Sequence, residues 1–182
     1  MLRLTIPEYE LFNNETNEFI TVNSHEIHLE HSLISISKWE SKWNKPFLVD
    51  KPAKTTKEIV DYIKCMTINK NVPDSSYLYI TAKQYEEINN YISAPMTATV
   101  IRDSSPNKSK AEIMTSELIY YYMISYNIPF ECEKWHINRL MTLIQVCSIK
   151  NNPNKKKMST SEVYRSNAAL NAARKKKYNT KG

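Results

Sequence analysis

The chain has 182 residues, of which 41% are hydrophobic and 24% charged, and its mean hydropathy is −0.54. This balance is typical of one soluble globular domain and excludes both a disordered chain and a membrane-embedded one. No apolar run approaches the roughly 18 residues that a spanning helix needs. Acidic residues within the first 20 positions exclude a signal peptide. We therefore expect the protein to stay in the compartment where it is made.

Glycine is almost missing from the sequence. The single glycine is Gly182, whereas average usage would give about 13. Phosphate-binding loops, the dinucleotide-binding fingerprint and the nucleophile elbow all need glycine at a sharp bend or a close approach, so these sites are excluded. We expect backbone positions with positive φ to be occupied by some of the 18 asparagines, because Asn tolerates the left-handed region.

Charge divides the chain into two parts. Residues 1–150 carry 16 basic and 18 acidic side chains, whereas residues 151–182 carry nine basic side chains and one acidic. The positive excess therefore lies at the carboxy-terminal end. We predict a single mainly helical globular domain over 1–150, followed by a basic linker and tail helix over 151–182.

The amino-terminal segment has the pattern of β-structure. Residues 2–22 alternate and contain β-forming side chains, and the turn residues at 13–17 predict a hairpin over 9–22 with a longer loop. From Ile27 to Trp43 the apolar residues recur every three or four positions, which predicts an amphipathic helix. Pro46 ends this helix.

Capping boxes mark the starts of the following helices. The pairs Thr55 with Glu58, Thr81 with Gln84, and Ser109 with Glu112 each precede an apolar pattern of helical spacing. Residues 96–101 are rich in β-formers and are compatible with a short strand, and 102–108 form a loop. The sequence thus predicts three further helices, of which the third ends at Pro129.

A last pair of helices completes the predicted fold. Residues 131–148 form a helix that packs antiparallel against the preceding one, and Ser159 with Glu162 caps a tail helix that extends to about Tyr178. The thin apolar face of the tail helix favours docking on a partner. The fold class is α+β and mainly helical, with an N-terminal β-hairpin, four to five amphipathic helices and a C-terminal basic helical tail.

The cysteines favour a reducing compartment. Cys65, Cys132 and Cys147 are odd in number, widely spaced and set among apolar neighbours, so they are predicted to be buried thiols. Cys132 and His136 are four residues apart, a spacing that allows contact on one helix. Nucleophilic catalysis also needs an orienting third group and an oxyanion hole, which the sequence does not indicate. We predict no catalytic residue, no cofactor and no enzymatic activity.

Three histidines lie close together in the sequence. His25, His28 and His31 are spaced by three residues, and on one continuous helix they would not converge on a common point. We interpret them as the polar start of the first helix rather than as metal ligands, which remain the alternative.

Eight aromatic residues fall in two stretches, 39–43 and 120–135, and such residues are more often core than ligand-binding residues. The group comprises Trp39, Trp43, Tyr120, Tyr121, Tyr122, Tyr126, Phe130 and Trp135. Successive residues of a helix are turned by 100°, so three consecutive tyrosines cannot all point inward. We therefore expect at least one of Tyr120–Tyr122 to face solvent or a protein partner.

Several segments resemble a family encoded in the tail-gene region of long-tailed, siphovirus-type bacteriophages, the tail assembly chaperones. The segments are SLISISKWESKWNKPF (32–47), DYIKCM (61–66), MTAT (96–99) and, most specifically, IPFECEKWHINRLMTLI (128–144). The closing NAALNAARK (167–175) and NTKG (179–182) also resemble the family's usual ending. The resemblance covers most of residues 29–182.

This resemblance implies a non-enzymatic protein of the bacterial host cytoplasm. Its partners would be the phage tape-measure protein, which it keeps soluble, and the tail-tube subunits that assemble around it. The alternatives are a minor structural virion protein of the tail or head–tail region and a basic nucleic-acid-binding accessory protein.

The predicted contact residues fall into two sets. The protein-binding set is Tyr121, Tyr126, Trp135, His136 and Arg139, and the alternative for Trp135 is a core position that holds the helical hairpin together. The basic tail contact is Lys155, Lys156, Lys157, Arg174, Lys175, Lys176 and Lys177. These cations could also bind nucleic acid weakly and without specificity, although the tail lacks the clustered aromatic residues that stack on bases.

Overall fold

In the computed structural model the described residues are 1–14, 17–49, 51–101, 112–151 and 160–178. Their contacts divide the chain into two compact units, Met1–Ser148 and Ile149–Gly182. The first unit contains four β-strands and the apolar core, and the second contains a long helix. These elements confirm the predicted mainly helical α+β fold.

The amino-terminal residues form one long β-hairpin. Strand β1 (Leu2–Ile6) pairs antiparallel with β4 (His25–Leu29), and β2 (Tyr9–Asn13) pairs with β3 (Glu18–Val22). Both pairs keep the same register, and the ladder is interrupted where Pro7 has no N–H to donate. The hairpin predicted over 9–22 is confirmed, and β1 and β4 extend it to its base.

The hairpin changes its buried face at this interruption. Leu4 and Ile6 are buried in β1, whereas Tyr9 is buried in β2. Because side chains alternate along a strand, the change from even to odd positions leaves Phe12 on the outer face of β2. Its register partner Phe19 lies on the same face of β3.

The helix predicted from Ile27 begins six residues later, since helix α1 is Leu33–Trp43. Ile27 and Leu29 belong to β4, where both are buried and pair with β1. The apolar positions 27, 29 and 33 fit a strand followed by a helix as well as a single helix, so periodicity alone did not locate the boundary. The pairing with β1 decides it, because the backbone groups of 25–29 then have partners.

Asparagine takes the place of glycine at the left-handed backbone positions. Helix α1 ends at Asn44, which has φ 52°. The described non-glycine residues with positive φ are Asn17, Asn44, Asn71, Met96 and Asn127. Four of these five are asparagine, which confirms the prediction from the composition.

Two of the predicted capping boxes are confirmed. Thr55 and Glu58 cap α2 (Thr56–Met66), and Thr81 and Gln84 cap α3 (Ala82–Ser93). In each box the threonine side chain accepts from the backbone of the third helical residue, whose side chain accepts in turn from the cap. A 3-10 turn at Asp74–Leu78 lies between the two helices.

The third predicted capping box does not start a helix. Helix α4 is Ser116–Ser125, and Thr115 is its N-cap, with its side chain accepting from the backbone N–H of Leu118. Ser109 lies outside the described residues, and Glu112 precedes the helix as irregular backbone. Residues 96–101 also contain no strand, so the short strand suggested there is wrong.

The helix predicted over 131–148 also begins later. Residues Phe130–Lys134 form a 3-10 turn, Trp135 is extended, and α5 runs over Ile137–Asn151. The late start has a tertiary cause, because His136 forms a β-bridge with Ser32 and the Ile137 N–H donates to the His31 carbonyl at 2.8 Å. Helix α4 packs mainly against α1 rather than forming the predicted antiparallel pair with α5.

The tail helix α6 is Thr160–Tyr178, which confirms a helix in the basic segment. Its predicted cap Ser159 and the linker residues 152–159 lie outside the described residues. Within α6, Tyr164 and Leu170 are exposed in the second unit, with 71% and 53% of their surface accessible.

Helix α1 lies at the centre of the first unit and contacts α2, α4 and the 3-10 turn Phe130–Lys134. Trp39 is fully buried, and its indole N–H donates to the Glu58 carbonyl at 2.9 Å. The next residue, Glu40, is a buried carboxylate that accepts from the backbone N–H of Phe47 at 2.7 Å and of Ser116 at 2.8 Å. This side chain therefore links α1 to the first turn of α4.

Candidate protein-binding surface

Helix α4 carries apolar or aromatic side chains around its whole circumference. Ile119 and Met123 are fully buried against the core, whereas Tyr121 and Ile124 have 60% and 62% of their surface exposed. A helix that is apolar on all sides is normally covered on all sides. The uncovered side of α4 is therefore suited to a protein partner.

The uncovered side continues onto the 3-10 turn that follows. Phe130 is 55% exposed, and its ring centroid lies 6.4 Å from that of Tyr120. Tyr120 and Ile124 are four residues apart and thus neighbours on α4. We call Tyr120, Tyr121, Ile124 and Phe130 the α4 surface.

The three consecutive tyrosines have different surroundings, as predicted. The Tyr120 hydroxyl donates to the Glu133 carboxylate at 2.8 Å, and burial together with this bond raises the pKa of Tyr120 to about 12. The Tyr122 hydroxyl donates to Glu112 at 3.1 Å. Tyr121 faces outward, which confirms that at least one of the three is exposed.

Trp135 and Arg139 form a second exposed group. The Arg139 guanidinium lies 4.0 Å from the ring centroid of Trp135, a cation–π contact. Trp135 is half-buried and Arg139 is exposed, and together with Met1, Met96 and Lys134 they line a shallow cavity of about 310 Å³. Glu30 and the buried ring of His136 also border this cavity, so the structure brings three of the predicted contact residues together.

The predicted contact residues do not form one continuous group. Tyr126 is half-buried and its ring stacks on Tyr122 at 6.3 Å, on the α4 side. Among the described residues, no ring contact or hydrogen bond joins Tyr121 or Tyr126 to the pair Trp135 and Arg139. The candidate surface therefore has two separate parts.

His136 is buried, and its ring borders the cavity beside Trp135 and Arg139 from the inside. Its Nε2 donates to the Tyr91 carbonyl at 3.0 Å, and its Nδ1 accepts from the backbone N–H of Asn138 at 3.3 Å. The carbonyl can only accept and the amide can only donate, so the neutral Nε2–H tautomer is fixed. Burial lowers the pKa of His136, and its two hydrogen bonds give the ring a structural role; its role in partner binding stays a prediction.

A second buried histidine lies beside His136. The ring centroids of His31 and His136 are 5.0 Å apart, and Nδ1 of His31 is hydrogen-bonded to the Tyr62 hydroxyl. Burial, together with the neighbouring His136, lowers the pKa of His31 to about 3. The pair joins the end of the hairpin to α2 and to the start of α5, and both rings are uncharged at neutral pH.

The buried histidines make the stability of the fold depend on pH. The unfolded pKa of His31 is near 6.5 and the folded pKa is about 3, so the unfolded state binds the proton first as the pH falls. The stabilisation is present above pH 6.5 and is lost between pH 6.5 and 3. We expect the free energy of unfolding to fall by about 2 kcal/mol between pH 8 and pH 5, measured by urea denaturation.

A histidine variant provides the comparison for this measurement. His31→Gln is expected to flatten the decrease above pH 5, because it removes the buried ring whose pKa is lowered. Hydrogen bonds to Lys45 and Thr55 lower the pKa of Glu58 to about 2, so its stabilisation is constant above about pH 4.5, is lost only below that pH, and does not interfere. An equal decrease in the free energy of unfolding between pH 8 and pH 5 in the wild type and in His31→Gln would show that His31 does not cause the pH dependence.

The cysteines form no nucleophilic pair with His136. Cys132 is buried in the 3-10 turn, burial raises the pKa of its thiol, and both ring nitrogens of His136 are bonded elsewhere. A protonated thiol is a poor nucleophile. All three cysteines are free thiols, but Cys65 and Cys147 are half-buried rather than buried as predicted.

The three clustered histidines also do not converge. His25 and His28 lie on opposite faces of β4 and not at the start of a helix, and the ring Nε2 of His25 is 2.9 Å from the Ser76 hydroxyl. His31 points into the core. Within the described ranges, no group of three potential metal-ligating side chains comes together.

The basic tail residues are only partly described. Lys155, Lys156 and Lys157 lie outside the described residues. Arg174 is exposed on α6, and Lys175, Lys176 and Lys177 belong to the last turns of the same helix.

Sequence reasoning missed Ile124 and Phe130, which complete the α4 surface. Phe130 had been assigned to the aromatic core, but it is more than half exposed. The available signal was the composition of α4, because a run of apolar and aromatic residues with no polar face predicts a helix covered on all sides. Such a helix in a small domain leaves one side for a partner.

Comparison with protein-family models, with curated proteins and with solved structures yields no significant match. Among the helices in the described part of the chain, none combines the length and the apolar character needed to cross a membrane.

Proposed function

We propose that this protein is a phage tail assembly chaperone that binds the tape-measure protein and assists tail-tube assembly. It acts without catalysis, in the cytoplasm of the bacterial host. The motifs of residues 32–47 and 128–144, which resemble that family, support the proposal. The structural observation that carries it is the α4 surface, an uncovered apolar and aromatic face on a folded domain.

The α4 surface has the chemistry that such a partner requires. A tape-measure protein has long helical stripes of apolar residues, which aggregate when exposed. An aromatic face covers such a stripe by packing against its apolar side, as in the helix-in-groove mode of recognition. Tyrosine and phenylalanine supply a large contact area at a small loss of side-chain entropy, which suits them to this role.

Charge adds a second component to the proposed contact. Trp135 and Arg139 present a cation over an aromatic ring, and the basic residues of 151–182 supply further positive charge. Positive groups around an apolar contact accelerate association with an acidic partner and make it depend on salt. We propose that the apolar face provides most of the affinity and that the cations orient the partner.

Co-expression with the tape-measure protein of the same genome tests the proposal. The tape-measure protein is expected to become soluble and to co-purify with the wild-type chain. The double variant Tyr121→Ser with Ile124→Ser is expected to reduce the co-purified amount at least about tenfold, because the exposed apolar area is lost. Leu78→Ser is the matched control, since Leu78 is 77% exposed outside the α4 surface.

The same experiment distinguishes the other functions. If the tape-measure protein stays insoluble and this chain is found in purified particles, it is a minor structural virion protein. If the chain instead retains DNA in a salt-dependent manner, and neutralising Arg174–Lys177 removes the retention, it is a nucleic-acid-binding accessory protein. Either result would replace the chaperone proposal.

A further inference from the structure

The distal part of the β-hairpin has an uncovered aromatic face. Phe12 and Phe19 are register partners on β2 and β3, they are 50% and 69% exposed, and their ring centroids lie 5.2 Å apart. Glu10 and its register partner Thr21 lie on the same face and are exposed. We call Glu10, Phe12, Phe19 and Thr21 the hairpin face.

The opposite face of these strands explains why the hairpin holds its position. Tyr9 stacks on Tyr79 with ring centroids 4.0 Å apart, and its hydroxyl lies 2.8 Å from the Ser75 hydroxyl. Leu11 packs against the core. The inner side therefore fixes β2, with which β3 pairs, and Phe12 and Phe19 are not among the residues packed against the core.

The outer edges of β2 and β3 pair with no further strand. Within the described residues these strands form a two-stranded sheet by themselves, and on β2 the Glu10 carbonyl accepts from the Tyr79 hydroxyl at 3.3 Å. Folded proteins usually protect strand edges with charge or cover them. Here an aromatic pair lies on a sheet whose edges pair with no other strand, a combination that favours contact with another polypeptide.

The negative charge of the hairpin favours a positively charged partner. The sequence contains no lysine or arginine between Arg3 and Lys38, whereas Glu8, Glu10 and Glu18 are exposed around the hairpin face. Two hairpins of this charge repel each other at close distance, so a symmetric contact between hairpin faces is disfavoured. The complementary occupant is a basic segment that also carries apolar side chains.

The chain itself contains such a segment. Residues 151–182 have nine basic side chains against one acidic, and α6 presents Tyr164 and Leu170 to solvent. We infer that the hairpin face receives the basic segment 151–182 of a second copy, so that copies associate head to tail. This inference concerns a different surface and a different partner from the proposed chaperone function, although both proposals use the basic segment 151–182. The two fail separately, because self-association is measured on this chain alone.

Head-to-tail contact has a defined consequence for assembly. The two surfaces differ, so the contact is heterologous, and each copy keeps one free hairpin face or one free basic segment for the next. Association therefore continues into chains or closed rings with increasing concentration. Because the contact includes opposite charges at the surface, it weakens as salt screens them.

Sedimentation velocity of the nuclease-treated full-length chain tests the inference. The weight-average mass is expected to rise with protein concentration in about 0.05 M salt and to fall towards the monomer in about 0.5 M salt. Phe12→Ser with Phe19→Ser is expected to raise the dissociation constant at least about tenfold. The control Leu78→Ser, at another exposed apolar residue, is expected to leave it unchanged.

Mixing two defective variants separates this arrangement from a symmetric one. The first is the double serine variant, and the second is a full-length chain with glutamine at seven of the nine basic tail positions, Lys155–Lys157 and Arg174–Lys177. Neither is expected to associate alone. An equimolar mixture is expected to form a dimer and no larger species, because it contains one intact hairpin face and one intact basic segment.

Several results would overturn the inference. A wild-type chain that remains monomeric at all concentrations has no such contact. Association that persists in the glutamine variant would show that another surface is responsible. A mixture that stays monomeric although the wild type associates would exclude head-to-tail pairing.

Discussion

Replacing Trp39 with alanine is expected to lower the free energy of unfolding by about 3–5 kcal/mol. Trp39 is fully buried at the centre of α1, where its ring packs edge-on against Phe47 with centroids 5.2 Å apart. The variant loses the buried apolar area, leaves a cavity, and leaves the Glu58 carbonyl without its indole donor. Urea denaturation followed by circular dichroism measures the loss.

A pair of phenylalanine variants in the same helix tests how much the indole hydrogen bond of Trp39 contributes to this loss. Trp39→Phe removes the hydrogen bond to the Glu58 carbonyl, whereas Trp43→Phe removes a buried indole N–H that has no hydrogen-bond partner among the described residues. The first is expected to be destabilising by about 1–3 kcal/mol more than the second. Equal losses in the two variants would show that the indole donor contributes nothing.

Replacing Glu40 with alanine is expected to have an effect of similar size, about 2–5 kcal/mol. The carboxylate accepts from the backbone N–H groups of Phe47 and Ser116, and both donors lose their partner in the variant. Because Ser116 is the first residue of α4, the loss also loosens the attachment of this helix to α1. Hydrogen exchange of the Ser116 amide is expected to become faster.

Two further variants test the role of Glu40. Glu40→Gln keeps one acceptor oxygen but places an NH₂ group against a backbone donor. Its decrease in the free energy of unfolding is therefore expected to be more than half of the decrease in Glu40→Ala. Glu87→Ala, at an exposed position of α3, is the matched control and is expected to change the stability by less than about 0.5 kcal/mol. Unchanged exchange at Ser116 in Glu40→Ala would contradict the proposed link.

Local sequence signals located several elements because the interactions behind them are local. The capping boxes at Thr55 and Thr81 involve residues three positions apart, so the start of each helix is determined by its own first turn. The turn residues at 13–17 act over the same short range. Asparagine at the left-handed position of Asn44 follows from the backbone preference of a single residue in a chain without internal glycine.

The sequence-based predictions of helix boundaries are wrong where segments distant in sequence meet. The sequence of 131–148 fits one helix, but the backbone around His136 pairs with Ser32, which delays the start of α5. The apolar residues Ile27 and Leu29 fit a helix until β1 supplies a partner for them. In both places local preference is weak, and a hydrogen bond from a remote strand or loop outweighs it.

For the candidate surface, the sequence alone determined the outward orientation of at least one tyrosine in 120–122, because successive helical residues are turned by 100°. Only the tertiary structure decided that Tyr121 is the exposed one and that His136 is buried beside His31. Composition also determined the separation of a near-neutral body from a basic segment. Burial, in contrast, depends on which side of each element its neighbours cover, and those neighbours are remote in sequence.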